Sequence, residues 1–87
     1  MHELTLMADV MAKIERVARD EEADEVTSVR LWLGALAHIS PEHLREHFEI
    51  AARGTAADGA EVEIDQSTDL DDPNAQEIIL VSVEVAE

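Results

Sequence analysis

The chain opens with three residues, Met1-His2-Glu3, that together form a dense metal chelate. A free α-amine, the backbone nitrogen of His2 and the His2 imidazole can hold one ion through fused small rings. The backbone nitrogen of Glu3 can close a square around it, and the Glu3 carboxylate is near enough to tune the site. Deprotonated amide nitrogen is a strong-field donor, so a planar, nitrogen-rich set suits Ni(II) or Cu(II) better than Zn(II). In bacteria a residue as bulky as histidine in second place should block removal of Met1, which leaves the methionine amine as donor. A Met-His start in an arbitrary protein is more often a frayed terminus, so the motif needs support from the rest of the chain.

Other residues with ligating chemistry are weaker candidates. His43 and His47 have the i, i+4 spacing that can place two imidazoles on one metal, with Glu42 and Glu46 alongside. Both lie at or beyond the margin of an apolar helical stripe, so a solvated boundary is the plainer account. His38 can approach a metal held at the N-terminus, although its position also suits an ordinary exposed loop histidine. Asp65, Asp69, Asp71 and Asp72 lack the spacing, central glycine and terminal glutamate of a calcium loop and read as a solvated acidic loop.

Composition narrows the classes of function. With 21 acidic against 6 basic residues the net charge is −15, which would repel a phosphate backbone, so no nucleic-acid partner is expected. No apolar run approaches the roughly 20 residues of a membrane span, and MHELTLMADV has no basic residue to open a signal peptide. Cysteine is absent, which removes disulfides, thiolate metal sites and thiol nucleophiles. The expected location is cytoplasmic, with no membrane association. No nucleophile–base pair, phosphate loop or cofactor fingerprint suggests an enzyme.

These residues must be positioned by one small domain of 87 residues with an aliphatic core, since aromatics are only 2% and Phe48 is the one large anchor. Met7, Val10, Met11, Ile14, Val17 and Ala18 recur at helical spacing from Thr5 to about Asp20, with Asp9/Lys13 and Glu15/Arg19 as outer pairs. The acidic Asp20-Glu21-Glu22 marks the helix exit. Val26 to Leu33 alternates as a strand, with Val29, Leu31 and Leu33 on one side and Trp32 on the other. Ser40-Pro41-Glu42 starts a second helix, whose stripe is Leu44, Phe48, Ala51 and Ala52, and Arg53-Gly54 stops it with a cation in the last turn. Ala60 to Asp65 and Ile78 to Val85 form two further strands around a polar loop. The order predicts an α+β fold, two helices packed on one face of a three-stranded sheet, with the first two strands parallel. The third strand, being the most apolar, is the expected centre.

The opening Met1-His2-Glu3-Leu4-Thr5-Leu6 is similar to the start of the HypA/HybF family of nickel metallochaperones. The resemblance runs on through Val26-Thr27-Ser28-Val29-Arg30-Leu31, Gly34 and the Pro41 helix, then Arg53-Gly54-Thr55, Ala57-Asp58-Gly59-Ala60, Val62-Glu63-Ile64, Glu77-Ile78 and Val83-Glu84-Val85. It implies Ni(II) held by Met1, His2 and Glu3, with His38 as an added candidate. It also implies delivery to a nickel enzyme such as a [NiFe] hydrogenase, and two partners, a nickel-delivering GTPase and a nickel-enzyme precursor. Family members insert a zinc domain with two CxxC pairs between the last two strands. Here residues 65–76 stand in that place without a cysteine, so no zinc is expected. The exit of the first helix also lacks the glycine expected there.

Loss of the zinc domain leaves an alternative, a scaffold that keeps the fold and a protein-binding surface without useful metal affinity. Either way, two helices can cover only one side of the sheet. The other is expected to carry Trp32, Ile79 and Val81, where the family usually has polar residues at the last two positions, and to support a homodimer. A bulge near Ser82 is the competing outcome, because it would turn part of the strand over and bury those side chains.

Overall fold

The computed structural model describes the backbone of residues 3–86 and the side chains of residues 7–86. The elements run α1 (Glu3–Asp20), β1 (Val26–Leu33), α2 (Pro41–Ala52), β2 (Glu61–Gln66) and β3 (Ile78–Val85), the order and α+β class read from the sequence. Their inner faces share one core in which Phe48, Ile14, Leu31, Leu33 and Leu44 are the largest fully buried side chains.

On α1 the buried positions Met7, Val10, Met11, Ile14 and Ala18 follow the helical repeat. The helix closes with two backbone bonds, Glu22 N–H to the Arg19 carbonyl at 3.0 Å and Ala23 N–H to the Ala18 carbonyl at 2.9 Å. That pattern requires a left-handed residue, usually glycine. Glu22 takes the position at φ 54°. Among the described residues, neither Asp9/Lys13 nor Glu15/Arg19 closes into an ion pair.

At the start of α2 the Ser40 hydroxyl accepts the His43 N–H at 3.1 Å, with Pro41 in the first turn. Leu44, Phe48 and Ala52 are buried, but Ala51 is exposed. A stripe spaced by four drifts about 40° per step around a helix of 3.6 residues per turn, and the drift carries it away from Ala51. Arg53 is the cap itself rather than a cation inside the last turn, and Gly54 follows at φ 76°.

The strand order is β2-β1-β3, so β1, not β3, is the centre. β1 pairs parallel with β2, as expected for a crossover through α2, and antiparallel with β3. Val26, Val29, Leu31 and Leu33 are all at most 1% exposed, as a central strand under two helices should be. The apolar content of β3 has another cause, a bulge. Arg30 pairs with Ser82 and Leu31 with Leu80, which leaves Val81 as the extra residue. The bulge returns Val83 and Val85 to the core side along with Leu80. It does not bury Val81, which stays 53% exposed. A matching irregularity at Thr27 lets both Val26 and Val29 face inward, and the Thr27 hydroxyl donates to the Glu84 carbonyl at 3.2 Å.

The segment between β2 and β3 is tied down at both ends. Ser67 N–H donates to the Leu33 carbonyl at 2.8 Å, Leu36 N–H to the Ala75 carbonyl at 2.7 Å and Gly34 N–H to the Glu77 carbonyl at 2.9 Å. Ala75 is 4% exposed, so this short connection has a buried anchor of its own.

Candidate metal centre

Met1 and His2 lie outside the described residues, and Glu3 enters as the first residue of α1, described by its backbone alone. The helix that follows them is well anchored. Met7, one turn beyond Glu3, is 5% exposed. It lines a shallow cleft of about 220 Å³ with His47, Ile50 and Ala51 of α2. The first turns of α1 therefore pack beside the second half of α2 at Met7. Ile50, 60% exposed, belongs to this cleft and was not singled out from the sequence. Its place off the Leu44–Phe48–Ala52 stripe was the available signal.

His38 is exposed in the loop after β1 and adopts φ 60°, a left-handed conformation that histidine tolerates better than most residues. His43 is exposed and His47 half-buried, with ring centroids 6.4 Å apart and planes tilted by 32°. Among the described residues, no three or more His, Cys, Asp or Glu side chains converge in a way that could hold a metal.

The acidic loop has a structural occupation. Asp71 N–H donates to Asp69 Oδ1 at 3.0 Å, Asn74 N–H to Asp72 Oδ1 at 2.8 Å and Asp69 N–H to Ser67 Oγ at 3.1 Å. These side chains fold the loop locally, as short polar residues do in turns.

The side of the sheet away from the helices carries the second group of candidates. Trp32, half-buried, sits in register between Asp65 of β2 and Ile79 of β3. Arg30 Nη2 lies 2.6 Å from Glu63 Oε2, and Arg30 Nη1 lies 3.9 Å from Asp65 Oδ2. The hydrogen bond that Arg30 donates to Glu63, and then the charges of Glu63 and Asp65, push the Arg30 pKa above its ordinary value. At the outer edge of β2, Arg45 Nη2 donates to the Val62 carbonyl at 3.0 Å, a contact the sequence did not suggest.

Among the described residues no helix is long and apolar enough to cross a membrane.

Residues 1–70 match the family described as hydrogenase/urease nickel incorporation, metallochaperone, hypA. The hydrogenase maturation factor HypA of Methylocella silvestris is 45% identical over 65 residues, covering 75% of this chain and 58% of that protein. The factor of the same name from Archaeoglobus fulgidus is 41% identical over 64 residues, covering 74% and 58%. The chain thus spans about 58% of the length of these relatives. The solution structure of the Ni metallochaperone HypA from Helicobacter pylori superposes with a TM-score of 0.78 at 16% identity, covering 98% of this chain and 97% of that one, which shows the shared fold.

Proposed function

The chain belongs to the HypA family of nickel-incorporation metallochaperones, and from that premise we propose that it binds Ni(II) at its N-terminus and hands the ion to the precursor of a nickel enzyme. The observation that carries this reading is the Met1-His2-Glu3 start, which falls within the segment matching the family. The α-amine, the amide nitrogens of His2 and Glu3 and the His2 imidazole form the donor set, and the Glu3 carboxylate adjusts its charge. His38 is an added candidate ligand. Nickel is cargo here, bound and released without turnover. The working partners are a nickel-delivering GTPase and a nickel-enzyme precursor such as that of a [NiFe] hydrogenase, in the cytoplasm.

Residues 65–76 take the place of a zinc domain in one continuous domain spanning 1–87. The chain has no cysteine to supply thiolates, and the loop is closed by its own Asx turns and by bonds to Gly34 and Leu36. That closure favours a second reading, a scaffold that keeps the fold and partner surface but not the metal. Calorimetric titration of the native, untagged chain with Ni(II) separates the two. Tight binding of one ion per chain supports the carrier. Heats no larger than dilution leave only the scaffold.

A further inference from the structure

The open side of the sheet combines an apolar centre with an acidic rim. Trp32 and Ile79 are register partners, and the bulge holds Val81 outward at 53% exposure. Around them stand the exposed carboxylates Glu61, Glu63, Asp65 and Glu84. Arg30, the cation on this face, is already engaged by Glu63 and Asp65. A shallow depression of about 300 Å³ runs between Arg30, Glu63, Val81 and Glu84.

We propose that this face docks an amphipathic helix of a partner protein whose apolar stripe is flanked by lysine or arginine. Three strands at about 4.8 Å spacing, roughly 26 Å long for β1 and β3 and roughly 20 Å for β2, match the footprint of one helix about 10 Å across. Such a helix would cover the sheet as α1 and α2 cover its other side. Apolar contact with Trp32, Ile79 and Val81 supplies affinity, and the rim selects a basic flank. Addition of a strand at the β2 edge is opposed by Arg45, which occupies the Val62 carbonyl. A second copy of this chain is the poorer occupant, because two-fold stacking sets the acidic rims against each other.

Trp32 is the only tryptophan and there is no tyrosine, so its emission reports this face alone. The probe is a synthetic helical peptide of about 18 residues with a leucine stripe, lysine flanks and no aromatic residue, titrated into the full chain without metal. The expected result is a saturable blue shift at one peptide per chain. Ile79→Glu and Val81→Glu should each weaken it roughly tenfold or more, with circular dichroism confirming the fold. Ile50→Glu, in the cleft between the helices, should leave it unchanged. Equal binding by a composition-matched peptide without the stripe overturns the proposal, as does equal weakening by Ile50→Glu. A concentration-dependent blue shift with dimer mass in peptide-free protein overturns it in favour of self-association. None of these outcomes depends on nickel.

Discussion

Gly34 lies so close to the carbonyl group of Ala75 that a β-carbon on it would overlap that group's oxygen and carbon. The obstacle is backbone, held by the Leu36 N–H bond to the same oxygen at 2.7 Å, so it cannot swing aside as a flexible side chain would. This approach lets the β2–β3 segment seat against the end of β1.

Gly34→Ala should therefore destabilise the domain by about 1–3 kcal/mol, the usual range for overpacking. Urea unfolding followed by circular dichroism checks it. A midpoint equal to that of the parent would mean the segment is not packed there.

Glu22 offers the opposite change. A side chain in the left-handed region costs about 1–2 kcal/mol, and a negative charge beside a helix C-terminus adds to that cost. Glycine removes both terms, while its greater freedom in the unfolded chain returns part of the gain. Glu22→Gly should raise stability by up to about 1 kcal/mol, read as a higher thermal midpoint. A lower midpoint contradicts the Schellman geometry.

Much of this was legible in the sequence, and the failures have physical causes. Ser40-Pro41 located the start of α2, and the alternation from Val26 located β1 with its bounds. The order of the strands differs from the expectation because Ile78–Val85 has apolar residues on both sides, which resembles a central strand. A bulge produces that pattern too, and sequence alternation alone does not separate them. The bulge lies beside Ser82, where the sequence allows one, but it leaves Val81 outward instead of burying it. Glu22 occupies the site where a glycine was expected, because the two C-terminal backbone bonds of α1 outweigh its strain. The proposed chelate was readable as chemistry in Met1-His2-Glu3, whereas the cleft joining Met7 to His47 and Ile50 depends on how α1 meets α2. Periodicity within one helix carries no such information.

Net charge should make stability depend on salt. At −15 on 87 residues, self-repulsion opposes the compact state. The thermal midpoint should rise as sodium chloride goes from a few millimolar to about 0.15 M, where the Debye length is roughly 8 Å. A flat or falling midpoint would show that the carboxylates are already compensated.

Nickel affinity should fall on acidification. The α-amine, the imidazole and the amide nitrogens must each lose or lack a proton to bind, so protons compete with the metal. Titrations at successively lower pH should show steadily weaker binding while the fold, followed by circular dichroism, persists. Affinity independent of pH would point to other donors.

The most direct measurement compares nickel binding by the native chain with that of a chain extended by a few residues ahead of Met1. Extension converts the amine to an amide and breaks the chelate while leaving the core untouched. The account predicts that high-affinity binding disappears on extension, and equally in His2→Ala, with the fold retained. An extended chain that binds Ni(II) as tightly as the native one would contradict it.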